Sequence, residues 1–175
     1  MLIDDQEIIF KQWLGEYKKL IFKVVKTYAD LPHDKDDLFQ EILLQIWSSI
    51  PSFQGDAKET TWIYRVALNT ALVWNRTEKR KRKRFRFEFL DLQQISETKG
   101  VCDDFSQNLQ VLDQVYDSIK QLSKSESSII LLYLDGLSYD EIANVLGISK
   151  SNVGARLNRT KKKLAQLLKG IIDDF

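Results

Sequence analysis

The chain of 175 residues has one cysteine, Cys102, and one histidine, His33. A lone thiol can neither close an internal disulfide nor build a cysteine zinc site, and a single imidazole leaves metal chemistry without its usual ligands. No cofactor and no metal is therefore expected. The sequence also lacks any run of eighteen apolar residues and any basic-then-apolar leader. It is expected neither to insert into a membrane nor to enter a secretory route by its own signal, and to work in the cytoplasm. Net charge is nearly absent as well, at +1. What is plentiful is apolar residues, 43% of the chain, which excludes disorder and suffices for one ordinary domain or two small helical ones.

The small net charge conceals blocks of alternating sign. Residues 1–50 carry −3, residues 51–87 carry +7, residues 88–122 carry −5 and residues 123–170 carry +4. Two basic modules flanking an acidic connector suggest two contacts with one polyanion.

The stretch from Leu137 to Lys169 reads as a helix-turn-helix. Ser138 with Glu141 makes a capping box that starts a short helix, and Ile142, Ala143 and Leu146 give it an apolar face. Gly147 can close that helix in the left-handed conformation, Ile148 plugs the turn and Ser149 can cap a second helix. Val153, Leu157, Leu164 and Leu168 form the second helix's buried stripe. Its opposite face carries Lys150, Ser151, Asn152, Arg156, Arg159, Lys161, Lys162 and Lys163, which suit phosphates and base edges in a DNA major groove. The plain alternative is a solvated basic face on an ordinary helical hairpin.

The first half also reads as helical. Phe10, Leu14, Tyr17, Ile21, Val24 and Tyr28 recur every three or four residues, and Pro32 ends any continuation. Asp34 is the expected cap of a next helix, built on Leu38, Ile42, Leu43, Ile46 and Trp47 and stopped by Pro51. Its other face shows Asp36, Asp37, Gln40, Glu41 and Gln45, which is either simply solvated or a docking face. A polar loop holding Phe53 and Gly55 leads to a third helix expected from Thr60 or Thr61, presenting Trp62, Tyr64, Arg65, Asn69 and Arg76. Rings interleaved with cations suit unstacked single-stranded bases, although Trp62 and Phe53 fit a core equally well. Six consecutive cations, Lys79 to Arg84, follow as a frayed helix end or flexible arm whose natural partner is phosphate.

The fold expected is all-α, with two small helical domains joined by a flexible linker. Residues 1–87 form the first, a three-helix module, 88–107 the linker and 108–175 the second. Within the linker, Phe89, Leu90, Leu92 and Ile95 could make a short docking turn. The second domain should hold four helices, one marked by Leu109, Leu112, Val115, Tyr116 and Ile119. The next starts at a Ser123–Glu126 capping box and ends at Asp135-Gly136.

DDLFQEILLQIW (36–47), FQGD (53–56) with TWIYRVALNTA (61–71), and the region from Leu122 to Leu164 together resemble the extracytoplasmic-function sigma factors of bacterial RNA polymerase, in the sigma-70 family. The resemblance covers nearly the whole chain. It implies a non-enzymatic factor that binds core RNA polymerase, directs it to promoters and helps melt them. It places core-polymerase binding on Asp37, Gln40, Glu41 and Gln45. Minus-ten contacts fall to Phe53, Gly55, Asp56, Lys58, Trp62, Arg65, Asn69 and Arg76, and minus-thirty-five contacts to Lys150, Ser151, Asn152, Arg156, Arg159 and Lys163. It further implies promoter DNA, duplex and melted, and an anti-sigma factor as partners. Departures are Glu59 where an aromatic is common, Val73 for an acidic residue, Ser123 for a proline, and Gly154 and Ala155 for longer polar side chains. Two other readings stay open on the residues alone: an ordinary helix-turn-helix regulator, and a nucleic-acid enzyme using Asp36, Asp37 and Glu41 to hold a metal.

Overall fold

In a computed structural model, residues 3–88 and 106–172 are described, with side chains for 5–78 and 112–169. The first helix, α1 (Ile3–Tyr28), is a long amphipathic element that buries Trp13, Leu20, Ile21, Val24, Val25 and Tyr28. Against it pack α2 (Pro32–Ser49), through Leu38, Ile42 and Ile46, and α3 (Glu59–Glu88), through Ile63, Tyr64, Ala67, Leu68 and Ala71. Each fully buried aliphatic side chain of this three-helix core contributes about 1.5–3 kcal/mol.

Pro32 proves to be a starter rather than a stop. α1 has already ended at Tyr28, and Pro32 occupies the first turn of α2, where its missing N–H costs nothing and its fixed φ fits. The cap position belongs to Leu31, which makes no side-chain cap bond, so the expectation that Asp34 caps α2 is corrected. Asp34 instead lies buried in the first turn, where negative charge is favoured, with Oδ1 3.4 Å from His33 Nε2. Pro51 sits inside a single 3-10 turn, Ile50–Ser52, that follows α2.

The largest departure is α3. It begins one residue before the expected Thr60 and runs unbroken through the cationic stretch to Glu88, so that stretch is neither a frayed end nor an arm. Lys and Arg are good helix formers, and a helix already nucleated on a packed face propagates through them. Of the expected linker 88–107, Glu88 ends α3 and residues 106–107 are helical, while 89–105, with the proposed turn of Phe89, Leu90, Leu92 and Ile95, fall outside the described residues.

The second module holds the four expected helices: α4 (Ser106–Gln121), α5 (Lys124–Leu134), α6 (Tyr139–Leu146) and α7 (Lys150–Ile172). Its core gathers Ile119, Leu122, Ile129, Ile130, Leu132, Ile142, Val145, Val153, Leu157 and Leu164. Seven α-helices and no strand are present among the described residues. The modules touch along two lines, α4 and α5 against α1, and α6 against α3.

Candidate nucleic-acid interface

The helix-turn-helix is assembled by local bonds. In the capping box, Ser138 N–H donates to Glu141 Oε2 (2.9 Å) and Glu141 N–H donates to Ser138 Oγ (3.3 Å). Gly147 ends α6 at φ +65°, and Ile148 N–H reaches back to the Ala143 carbonyl (3.2 Å), which turns the chain into α7. Ser149 Oγ accepts from Asn152 N–H at 3.3 Å. Val145, together with Ile142, is the buried residue of α6, whereas the expected Ala143 and Leu146 are only partly covered. The three-residue spacing from Ile142 to Val145 was the available signal.

On the outward face of α7, Arg156 is held in place. Its Nε donates to Asn152 Oδ1 at 2.9 Å, leaving the two terminal nitrogens of its fork for a partner. Ser151 and Arg159 are exposed nearby. Lys150 pairs with Asp140 (2.7 Å), and Lys163 pairs with Glu126 (2.5 Å), so both are engaged within the protein. Lys161 lies over the Tyr133 ring, 3.6 Å from its centroid. The Lys163 ammonium and the Ser123 hydroxyl and N–H hold the Glu126 carboxyl down at about 2.

In the first module, Asp36, Asp37, Gln40, Glu41 and Gln45 are all exposed on α2. An open groove of about 680 Å³ runs between this face and α3, lined by Asp37, Gln40, Glu41, Gln45, Asn69 and Trp74, among others. Residues that the sequence divided between two jobs, polymerase binding and minus-ten contact, thus share one groove. Leu44 and Val73, 60% and 58% exposed, add an apolar rim that the sequence reading missed. Leu44 could have been found because it breaks the register of Leu38, Ile42 and Ile46. Arg76 does not line the groove; it is exposed, and its Nε donates to the Leu72 carbonyl at 3.3 Å.

The loop before α3 bends at Gly55, whose φ is +79°. Phe53, Trp62 and Trp13 form a three-ring cluster with centroids 5.2–5.4 Å apart, so Phe53 and Trp62 are half-buried against the core. Asp56 remains exposed. Tyr64, expected on the presented face, is 1% exposed, and its hydroxyl donates to Asp135 of the second module. Its ring fills the core at the helix spacing set by Ile63, Ala67 and Leu68, so it cannot stack on a base. Arg65 donates to the Asn144 carbonyl (2.7 Å), and Lys58 donates to Glu141 Oε1 (2.7 Å), both on α6. Lys58, with the Ser138 cap bonds, holds the Glu141 carboxyl down at about 2. No group of three or more His, Cys, Asp or Glu side chains is gathered for a metal among the described residues. Nor is any helix there long and apolar enough to cross a membrane.

Comparison with known families matches Sigma-70 region 2 to residues 13–82 and Sigma-70 region 4 to residues 112–164, together most of the chain. Among curated proteins, the ECF RNA polymerase sigma-E factor of Escherichia coli strain K12 is 26% identical over 170 residues, covering 93% of this chain and 88% of that protein. The ECF RNA polymerase sigma factor SigW of Bacillus subtilis strain 168 is 26% identical over 168 residues, covering 89% and 86%. Among solved structures, the sigma factor RpoE of Bartonella quintana, in complex with the anti-sigma factor NepR, superposes with TM-score 0.68 at 20% identity over 91% of this chain and 96% of that one. CnrH, in complex with the cytosolic domain of CnrY, gives TM-score 0.66 at 20% identity over 94% and 90%.

Proposed function

The chain belongs to the sigma-70 family as a promoter-directing factor of its extracytoplasmic-function group, and from that premise we propose how its residues divide the work. Region two occupies residues 1–87, a linker 88–107 and region four 108–175. Asp37, Gln40, Glu41 and Gln45 on α2 dock core RNA polymerase. The loop from Phe53 to Lys58, with Trp62, Arg65, Asn69 and Arg76, takes the minus-ten element. Lys150, Ser151, Asn152, Arg156, Arg159 and Lys163 take the minus-thirty-five element.

The observation that carries this division is the coincidence of each matched family region with one helical module that has its own outward chemistry. α2 offers acidic and amide groups beside exposed Leu44, as a protein interface needs. α7 offers cations with Arg156 already oriented by Asn152. Packed as they are, Phe53 and Trp62 serve the minus-ten element as a rigid ring platform at its edge, so the loop's Gly55 and Asp56 are nearest an extruded base.

The protein performs no covalent step. Binding energy from two separate DNA contacts, held at fixed spacing by the polymerase, is applied to unstacking promoter bases, which costs a few kcal/mol. It works in the cytoplasm. An anti-sigma factor is an expected partner, since the sigma factor RpoE of Bartonella quintana is seen in complex with one.

Transcription with purified bacterial core polymerase on supercoiled genomic fragments tests this reading. The protein should start discrete transcripts. Arg156→Ala with Arg159→Ala should lose those needing upstream contacts, by roughly tenfold or more for two base- or phosphate-gripping side chains. A chain that never joins core polymerase, yet binds duplex DNA tightly alone, would return the ordinary regulator reading.

A further inference from the structure

Register along α3 gathers the residues assigned to the minus-ten element into one stripe. Arg65, Asn69 and Arg76 are all exposed and stand four and then seven residues apart, on a side of the helix turned away from the buried Tyr64, Ala67, Leu68 and Ala71. The apolar core ends at Trp74, but the helix continues to Glu88. Carried onward by four and then three residues, the stripe falls on Arg80 and Lys83. The axis advances about 10 Å from Arg76 to Lys83, the length of about three base pairs of duplex. The extension is chemically one-sided. Lys79 to Arg84 and Arg86 are cations, and no acidic residue stands between Glu78 and Glu88. Like charges four residues apart destabilise a helix, and the negative end of the helix dipole offsets this only in the last turn. The run also holds no Asn, Gln, Ser or Thr, so it offers charge with little of the pattern that reads base edges.

We propose that the end of α3 is a second binding site on the same helix, in which Arg80 and Lys83 carry the minus-ten stripe onto the phosphates of the spacer duplex and hold it without reading its sequence. This rests on the assignment of Arg65, Asn69 and Arg76 to the minus-ten element. The direction follows from the chain. α3 leads from the loop of Gly55 and Asp56, nearest an extruded base, past Asn69 and Arg76 toward the connector to the minus-thirty-five module, so its end lies on the spacer side. Consecutive cations uninterrupted by rings suit a duplex backbone better than unstacked bases, which call for aromatic platforms along the strand. Holding here serves opening there: bases are unstacked at one end of α3 against a duplex kept still at the other. Lys81 and Arg82 fall on the register of the buried face, past the end of the core, and take no part in the stripe.

The test uses holoenzyme assembled from the full chain and purified core polymerase, on linear duplex fragments of a promoter found by the transcription experiment. Two double variants each remove two charges: Arg80→Gln with Lys83→Gln on the stripe, and Lys81→Gln with Arg82→Gln off it. Glutamine keeps the helix-forming tendency of the residues it replaces. For the stripe pair, the plot of log affinity against log salt should flatten by about 1.8, so a fourfold rise in salt weakens the wild type about twelvefold more than the variant. The off-stripe pair should keep the wild-type slope. Changing the spacer sequence at constant length should leave the difference intact. Neutral methylphosphonates over about five base pairs upstream of the minus-ten element should weaken the wild type and erase its difference from the stripe pair, as coupled contacts require. Equal slopes for the two pairs would reduce the run to general charge attraction and overturn the stripe. A difference that survives neutral phosphates overturns the spacer site, as does a loss confined to single-stranded DNA or RNA probes. If the wild type opens the promoter and the stripe pair matches it at every salt concentration, this inference alone has failed; if the wild type joins core but opens nothing, the minus-ten assignment has failed with it.

Discussion

At the scale of single residues, Lys163 has two calls on its charge. It faces outward on α7 with the DNA-directed cations, yet its ammonium sits 2.5 Å from Glu126, whose carboxyl also closes the capping box of α5. Glu126 titrates at about 2, below the ordinary 4.5, so its contribution to stability is complete above pH 4.5 and fades as pH falls toward 2. Glu126→Gln should therefore cost about 1 kcal/mol at neutral pH, as loss of a cap does, with the gap to the wild type closing by about pH 3. Thermal melts of both proteins at those two pH values check this, and a gap independent of pH would assign the effect to packing. Capping partners three residues apart were legible in the sequence at Ser123 and Ser138. Lys23 with Asp135, 112 residues apart, and Lys58 with Glu141, 83 apart, were not, because no local pattern links residues that meet only when two modules dock.

At the scale of elements, two glycines of the helix-turn-helix should respond with opposite signs. Gly147 sits at φ +65° with nothing within 4 Å of the position a Cβ would take, so Gly147→Ala should destabilise by about 1 kcal/mol through backbone strain alone. Gly154 lies inside α7 at an ordinary helical φ, and a Cβ there would meet Tyr139 Cε2 at 3.6 Å, a normal contact. Gly154→Ala should stabilise by up to about 1 kcal/mol. Denaturant titration of the two variants decides both, and equal shifts would mean that neither backbone conformation is the controlling term. Helix ends with chemical punctuation, at Gly147, at Asp135-Gly136 and at both capping boxes, were readable in advance. The start of α2 was misassigned because a proline serves equally as the stop of one helix and the first residue of the next. The far end of α3 was misassigned because repulsion among Lys79 to Arg84 was weighed above their intrinsic preference for helix.

At the scale of the molecule, the buried apolar residues of the two modules form one cluster, but most of their packing is within each module, so damage should be felt most on its own side. Leu132 is fully buried in the second core, and Leu132→Ala should cost about 2–5 kcal/mol. Hydrogen exchange should then show lost protection across α4 to α7, while the amides of α1 to α3 keep theirs. Equal loss on both sides would show one cooperative unit. The domain plan was legible because charge blocks and helix periodicity both mark the halves; their mutual placement was not. α3 carries a mechanical consequence. Trp74 is its last residue packed on the apolar core, and Asn75 Nδ2 still donates to the Tyr28 carbonyl at 3.3 Å. The helix axis runs on to Glu88, about 20 Å farther by its rise, so a tilt of about ten degrees around Trp74 displaces the backbone at Glu88 by about 3–4 Å.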